Sequence, residues 1–353
     1  MTKNTDFQVP QNRPIRERVG LLVDAMNATD ATKIIAAAEA AGVRQTWIGQ
    51  RPSGPDALTT LAAAATKTSK VCLGTSVVPT YPLHPLVLAQ QALALYDVAP
   101  GRLRLGIGPS HHAIINGIYG LSQTTPLAHL REYIQVLRAA LWEGKVDHHG
   151  HFFNIVVKMP HTAPVQLLIS TLGKKAFELS GEIADGAISW MCPVPYLLGT
   201  GLPALRTAAA ANGRSAPPLV ACVPVALNQD RHSVLTQGHQ LLDMLAKWPF
   251  YAKMFADAGF PLAAGQTIPN ALVDSLVVSG NETEVTTRLT ELLATGLNEL
   301  MVALVPVTNP DDELRRLMHM TGLGVKPNSF LNDACWLASN SAENFGPTWP
   351  KDT

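Results

Sequence analysis

The stretch Val71–His112 constrains the fold of this 353-residue chain more than any other. Val71–Val78 is apolar and β-branched, as expected for a strand that is buried on both faces. Apolar residues recur at helical spacing over Leu86–Val98, and Pro100-Gly101 ends that helix. A second short strand follows over Leu103–Ile107. The stretch is therefore predicted to form one β-α-β unit with parallel strands, and ligands bind at the loops that leave such strands.

The same alternation of strand and helix continues along the chain. The predicted strands are Val19–Ala25, Gln45–Gln50, Val71–Val78, Leu103–Ile107, Val165–Ser170, Gly186–Trp190, Leu219–Leu227 and Glu299–Leu304. Eight such units with helices between them predict an α/β fold, a (β/α)8 TIM barrel in a single domain. The alternative is a doubly wound open sheet. It is disfavoured because the first strand leads into Asp24-Ala25-Met26-Asn27 rather than a glycine-rich dinucleotide turn.

Segments outside this pattern complete the predicted organisation. We predict a polar N-terminal arm (1–18), the barrel (19–320) and an irregular C-terminal tail (321–353). A β-hairpin insertion is predicted over 143–157, with its turn at His149-Gly150. The Gly- and Pro-containing insertion over 250–275 carries several aromatic residues and is long for a loop without regular structure. Such a loop is typical of a lid or a binding element.

Composition excludes several classes of protein. Charged residues make up only 15% of the chain and the formal net charge is zero, so no broad electrostatic footprint for nucleic acid or an anionic membrane exists. No apolar run reaches the roughly 18 residues of a membrane span, and the N-terminus lacks a signal-peptide core. We therefore predict a cytoplasmic protein without nucleic-acid or membrane partners. The widely spaced cysteines are predicted to be buried, reduced thiols.

Short motifs in a fixed order give the chain a family resemblance. They are Leu73-Gly74-Thr75-Ser76-Val77, His84-Pro85, Pro100-Gly101-Arg102, Gly106-Ile107-Gly108, Gly181-Glu182-Ile183-Ala184-Asp185-Gly186 and Ser279-Gly280-Asn281-Glu282. Over about Val19–Leu317 the chain resembles the bacterial-luciferase-like superfamily of flavin- and deazaflavin-dependent oxidoreductases. Within it the chain is most similar to the branch that uses coenzyme F420.

The resemblance implies an F420-dependent oxidoreductase that transfers a hydride between the deazaflavin and a small organic substrate. It also implies a homodimer, because relatives are often dimeric. Two alternatives stay open. One is an FMN-dependent monooxygenase that uses reduced flavin and oxygen, and the other is a barrel that binds the cofactor without turnover. The identity of the substrate is open as well.

The resemblance also implies where the ring of the cofactor lies. Family members of the deazaflavin branch carry a bulge with a non-proline cis peptide bond at the end of the third strand, which here is Ser76-Val77 beside Thr75. The loop Gly108-Pro109-Ser110 after the fourth strand would contribute further contacts. Trp190 at the end of the sixth strand would form a wall of the pocket. An ordinary strand end and a core tryptophan are the alternatives for these residues.

A phosphate site is implied at Ser170-Thr171-Leu172-Gly173, which follows the fifth strand and opens a helix. Backbone N–H groups at the start of a helix attract anions, and family members bind the cofactor's phosphate there. Lys174 and Lys175 would add positive charge for the phosphate and for a polyglutamate tail. Leu172 departs from the family, in which many members have a second glycine. Two solvated lysines after a strand are the alternative.

His111 and Gln50 are the predicted catalytic residues. In a related sugar-phosphate dehydrogenase, a glutamate that acts as an acid stands where this chain has His111, and an imidazole can exchange a proton near neutral pH. His111 could equally contact the ring or cap the following helix. Gln50 stands where that enzyme has a histidine-containing acidic loop, so its sugar-phosphate activity is not carried over. Gln50 would hydrogen-bond the ring or substrate, or be a satisfied polar residue of the barrel.

Three histidines in the predicted hairpin, His148, His149 and His151, raise the possibility of a metal site. Asp147 is the only carboxylate beside them in the sequence, so we interpret them as a solvated hairpin face and predict no metal. A nucleophilic triad is not expected, because the chain has no G-x-S-x-G motif.

Overall fold

The computed structural model describes residues 13–262 and 266–322. The strands of this part of the chain are β1 (Val19–Val23), β2 (Gln45–Ile48), β3 (Cys72–Thr75), β4 (Val78–Pro79), β5 (Leu103–Gly108), β6 (Lys145–His149), β7 (Asn154–Lys158), β8 (Gln166–Thr171), β9 (Gly186–Ser189), β10 (Leu219–Ala226), β11 (Val278–Ser279) and β12 (Glu299–Leu304).

The helices are α1 (Ile15–Arg18), α2 (Ala28–Ala40), α3 (Ala57–Ala65), α4 (Pro85–Val98), α5 (His112–Gly117), α6 (Pro126–Arg138), α7 (Lys174–Ile183), α8 (Val194–Tyr196), α9 (Leu202–Ala211), α10 (Arg231–Leu245), α11 (Pro249–Asp257), α12 (Asn270–Leu276), α13 (Glu282–Ala294) and α14 (Pro310–Gly322). Two π-helical segments, Ala139–Glu143 and Leu197–Gly201, extend α6 and precede α9.

Eight parallel strands close into a barrel. They pair in the order β1, β2, β3, β5, β8, β9, β10 and β12, and β12 pairs with β1 to complete the circle. The short strands β4 and β11 add to β5 and β10, and β6 and β7 form a separate antiparallel hairpin. The predicted (β/α)8 barrel is confirmed, and the carboxyl ends of its strands meet at one rim, where ligands bind in such folds.

The seventh barrel strand contains a proline, Pro224, yet β10 runs unbroken from Leu219 to Ala226. The Val225 carbonyl accepts from Val305 N on the β12 side, so the nitrogen of Pro224 faces the opposite neighbour. Pairing with β9 has already ended at Ala221, so this proline removes no ladder hydrogen bond.

A buried ion cluster closes the amino-terminal end of the barrel. The Glu299 carboxylate, 1% exposed, accepts hydrogen bonds from Arg104 at 2.6 and 3.3 Å and from Arg13 at 3.0 Å. Burial alone would raise the pKa of Glu299, but the Arg104 guanidinium holds it below its usual value. Arg18 donates to the carbonyl of Leu297 at 2.6 Å. Residues 13–18 of the predicted N-terminal arm therefore pack on the base of the barrel.

The insertion predicted over 250–275 as an irregular lid is largely helical. It contains most of α11 and α12, and Phe255 is fully buried in the core. Pro249 occupies the first turn of α11, where a proline fits because no N–H is needed there. The sequence interpretation had treated the Pro and Gly residues as loop signals. Residues 263–265, the arm before residue 13 and the tail after residue 322 lie outside the described residues.

The predicted hairpin is present, but its tip is anchored rather than solvated. Gly150 donates to the carbonyl of Phe153 at 2.8 Å, so the turn comprises four residues instead of the predicted pair. Glu132 of α6 accepts the backbone N–H of Phe152 at 2.9 Å and of Phe153 at 2.7 Å. His148 also bonds this carboxylate, at 3.0 Å.

Three of the cysteines are free thiols. No helix of the described residues is long and apolar enough to cross a membrane.

Candidate active site at the carboxyl rim of the barrel

Three of the predicted cofactor-binding residues come together where β3, β5 and β8 end. The Cα of Gly108 faces Ser170 and Val77 so closely that an added Cβ would overlap Oγ of Ser170 and lie 3.0 Å from Cγ2 of Val77. Gly108 thus lets its backbone approach both neighbouring loops. The residues come from three separate stretches of sequence, and the barrel places them in one cradle.

The structure contains the predicted cis peptide bond between Ser76 and Val77. This bond separates β3 from β4, so the third strand is split where one continuous strand was predicted over Val71–Val78. The Ser76 hydroxyl is buried and has no hydrogen-bond partner within the described residues. A buried polar atom without a partner is a place where a ligand atom can be accommodated.

Helix α7 presents an open amino terminus to the same rim. Gly173 is its N-cap, without a side-chain cap, and a Cβ built at Gly173 would meet nothing within 4 Å. Lys174 and Lys175 follow and are exposed. Lys174 lies 3.9 Å from Glu178 across an exposed ion pair, which contributes little. The amide groups at this helix start and the adjacent lysines are free to face an anion.

Two of the predicted cofactor-binding side chains form hydrogen bonds with the backbone of neighbouring barrel strands instead. The Thr75 hydroxyl donates to Gly106 O at 2.8 Å and accepts from Gly106 N at 2.9 Å. The Thr171 hydroxyl donates to Ile188 O at 3.2 Å. Both side chains are buried, so any contact from Thr75 or Thr171 to a ligand has to come from the backbone. Leu172 likewise uses its carbonyl to accept from the Tyr196 hydroxyl at 3.1 Å.

His111 lies in the loop after β5, as predicted. Its ring packs against Trp248 with 4.2 Å between ring centroids and against Tyr251 with 5.5 Å. Burial lowers the pKa of His111 to about 4, because the charged form loses hydration. The imidazole is therefore neutral at physiological pH. Such a ring carries one donor and one acceptor nitrogen.

Gln50, the second predicted catalytic residue, has a structural task. Its side-chain oxygen accepts the Ala57 N–H at 2.6 Å and so satisfies the first turn of α3. Only its amide nitrogen is left for a ligand. Gln50 nevertheless lies at the rim, since a Cβ on the preceding Gly49 would come within 3.5 Å of the Ser76 carbonyl.

Two rim loops have a left-handed backbone at a residue other than glycine. Ser110 has φ 60° and Met191 has φ 50°, a conformation that is uncommon for such residues. The loop before His111 is further held by Gln123, whose amide donates to the Pro109 carbonyl at 2.7 Å and the Ser110 carbonyl at 3.3 Å. Trp190, beside Met191, is half-buried and packs against the core. These contacts fix the rim before any ligand binds.

The sequence interpretation missed Trp248. It lies outside the predicted insertion and directly before α11, and only the fold brings it to His111. The aromatic run Trp248–Tyr251 around one proline was the available signal. Tyr251 is the aromatic residue of the predicted insertion that contacts the rim histidine, whereas Phe250 is 57% exposed, Phe255 is buried in the core and Phe260 packs against the core.

A depression of about 540 Å³ runs between α6 and the hairpin tip, next to Arg131, Gln135 and His151, and none of the rim residues described above lines it. The Glu132 carboxylate in its wall is already saturated by the hairpin. Within residues 13–262 and 266–322, no group of three or more His, Cys, Asp or Glu side chains is arranged to hold a metal ion.

We compared the sequence with models of known protein families. The model of the luciferase-like monooxygenase family matches residues 11–299, which is most of the chain. The chain belongs to this family.

Individual relatives carry more specific names. An F420-dependent glucose-6-phosphate dehydrogenase of Nakamurella multipartita is 34% identical over 179 residues, which is 48% of this chain and 52% of that protein. The chain thus matches about half the length of this relative. A 5,10-methylenetetrahydromethanopterin reductase of Methanolobus tindarius is 25% identical over 288 residues, which is 75% of this chain and 86% of the reductase.

Solved structures share the barrel. An F420-dependent secondary alcohol dehydrogenase in complex with an F420-acetone adduct superposes with a TM-score of 0.72 at 17% identity, covering 86% of this chain and 98% of that one. A coenzyme F420-dependent tetrahydromethanopterin reductase from Methanopyrus kandleri gives a TM-score of 0.71 at 20% identity, covering 86% and 96%. At these identities the likeness establishes the fold alone.

Proposed function

We propose that this chain is an oxidoreductase that uses coenzyme F420 to transfer a hydride to or from a small organic substrate. The observation that carries the proposal is the convergence of Val77, Gly108 and Ser170 beside the open start of α7 at one rim. The name of the F420-dependent glucose-6-phosphate dehydrogenase described above supports F420 as the cofactor. That the chain is a homodimer stays a prediction from the family resemblance.

The residues present fit such a cofactor. Ser76 offers a buried hydroxyl that has no partner in the described part of the chain, as a hydrogen-bonding group for a polar ring edge. Gly108 keeps open a cradle that any larger side chain would fill. The amino terminus of α7 has open space at Gly173 and two exposed lysines, which suit a phosphate and further negative charge. Each part of the donor set therefore matches one part of an anionic deazaflavin.

When bound, the deazaflavin supplies the two-electron hydride chemistry. The protein supplies position and electrostatics. The α7 amides with Lys174 and Lys175 would hold the phosphate, and the Ser76-Val77 segment would support the ring. The neutral imidazole of His111 holds one proton on a ring nitrogen, from which it can hydrogen-bond a substrate oxygen. The half-buried Trp190 would help to exclude water from the rim.

The proposal is tested by titrating the purified chain with F420 and, separately, with FMN, following quenching of tryptophan fluorescence. We expect micromolar or tighter F420 binding and much weaker FMN binding. Preferential FMN binding would instead identify a flavin monooxygenase. Tight F420 binding without oxidation of reduced F420 by any substrate of a broad carbonyl panel would favour a non-catalytic binding barrel.

A matched pair of variants probes the phosphate site itself. Gly173→Asp and Gly173→Asn add side chains of the same shape into open space at an N-cap, where both residues are favourable. They differ only in the negative charge. We expect Gly173→Asp to bind F420 at least about tenfold more weakly than Gly173→Asn at low salt, because the carboxylate repels the phosphate. Equal F420 affinities of the two variants would show that the amino terminus of α7 does not bind the phosphate of the cofactor.

A further inference from the structure

We propose that Trp248 and Tyr251 are specificity-determining residues of a subsite for uncharged carbonyl compounds or alcohols with an apolar body. The inference rests on the proposed function, because it names the substrate class of the same rim. It concerns the aromatic wall formed by His111, Trp248 and Tyr251.

The aromatic wall joins two segments that are distant in sequence. Trp248 precedes α11 and Tyr251 lies in its first turn, with their ring centroids 6.1 Å apart. Both rings pack against His111, at 4.2 and 5.5 Å. His111 in turn follows Gly108 by three residues, so the wall adjoins the cradle of the cofactor-binding residues. The proposed substrate therefore lies between that cradle and the wall.

Two polar groups in the wall are unused. Within the described residues, neither the His111 imidazole nor the Tyr251 hydroxyl makes a hydrogen bond to the protein, although Tyr251 is only 4% exposed. Burial raises the pKa of the tyrosine and lowers that of the histidine, so both groups stay neutral donors. A substrate oxygen, as carbonyl or hydroxyl, is the partner that such a pair of donors matches.

Burial shifts the pKa of both His111 and Tyr251, and no carboxylate, lysine or arginine of the described residues shifts either one. Tyr251 packs on Phe255, and after burial the buried thiols Cys192 and Cys222 are the groups that raise its pKa further. Burial raises the pKa of the Cys222 thiol to about 12, so it stays uncharged. Lys253 on α11 is exposed and pairs with Asp257 at 3.0 Å. An anionic substrate would therefore be buried here without a counter-charge, which is unfavourable, whereas an uncharged one needs none.

The test compares cyclohexanone with 4-oxocyclohexanecarboxylate, which has the same ring and carbonyl but adds one negative charge. The full chain is first shown to bind F420 by titration, and oxidation of reduced F420 is then followed with each ketone. We expect kcat/KM to be at least about 100-fold higher for cyclohexanone. Saturation-transfer NMR with cyclohexanol, in the presence and absence of oxidised F420, gives a readout that does not depend on turnover.

Variants assign the effect to the wall. Trp248→Ala should raise KM for cyclohexanone about tenfold, and Tyr251→Phe should lower kcat/KM about tenfold by removing one hydrogen bond. Both should leave F420 affinity unchanged. Phe250→Ala, between them in sequence but 57% exposed, is the matched control and should change nothing.

The two proposals fail separately. If F420 does not bind, the proposed function is wrong and this inference falls with it. If F420 binds, three outcomes overturn the inference alone: no turnover of cyclohexanone, equal or faster turnover of the carboxylate, or unchanged KM in Trp248→Ala.

Discussion

The anchoring of the hairpin by Glu132 can be tested by a single substitution. Its carboxylate accepts backbone N–H groups from His151 at 3.1 Å, Phe152 at 2.9 Å and Phe153 at 2.7 Å, and it pairs with His148 at 3.0 Å. Glu132→Gln keeps one acceptor oxygen but turns an NH₂ group toward these donors. Hydrogen bonds to a charged group contribute about 1.5–3 kcal/mol each. The side chain is 12% exposed and the bonds act together, so we expect a total loss of about 2–3 kcal/mol.

The effect has a defined dependence on pH. Burial alone would raise the pKa of Glu132, but the hairpin N–H groups and His148 lower it below its usual value. Because the folded pKa lies below the unfolded one, the carboxylate stabilises the fold fully above the usual glutamate pKa of about 4.3. That contribution is lost as pH falls through the folded pKa. The difference between wild type and Glu132→Gln should therefore be largest near pH 7 and shrink below about pH 4.3.

The assay needs a local and a global readout, because a hairpin can open without unfolding the barrel. Hydrogen exchange of the Phe152 and Phe153 amides reports the local opening, and urea denaturation reports the free energy of unfolding of the whole chain. Glu143→Gln, at an exposed position, is the control and should stay within about 0.5 kcal/mol of wild type. Unchanged amide protection in Glu132→Gln, together with a loss below about 0.5 kcal/mol, would refute the anchoring argument.

Two further substitutions test buried groups. Glu299→Gln leaves Arg104 and Arg13 together without a counter-charge, so we expect a loss of about 3–5 kcal/mol in urea denaturation; a loss below about 1 kcal/mol would contradict the cluster's role. The pKa of His111 is lowered to about 4, so wild type should lose stability relative to His111→Gln as pH falls from about 6.5 toward 4. An NMR titration that shows His111 ionising near pH 6.5 would disprove its burial as a neutral ring.

Local sequence patterns predicted the elements of the barrel well. The last strand, Glu299–Leu304, has the predicted bounds, and the others agree within about two residues apart from the split third strand. Such patterns depend only on neighbours in the chain, because alternation of buried strands and amphipathic helices is a local property. They failed at Pro249, where a residue that breaks helices in their interior begins one at its first turn.

The candidate site was predictable in part. The motifs around Ser76-Val77 and Gly108 predicted a cofactor site at the rim, and the structure brings Val77, Gly108 and Ser170 into contact. The same motifs could not indicate that the hydroxyls of Thr75 and Thr171 donate hydrogen bonds to backbone carbonyls of neighbouring barrel strands. A side chain's availability depends on its neighbours across strands, and a linear motif does not contain them.

The sequence by itself determined the β-α units, their order and the glycines that let backbones approach at the rim. Only the tertiary structure decided that Trp248 lies on His111, that Arg13 reaches Glu299 and that the hairpin closes on Glu132. Each of these contacts joins residues that are far apart in the chain. Their energy is gained only when barrel closure and helix packing have brought both partners together, so no local pattern encodes them.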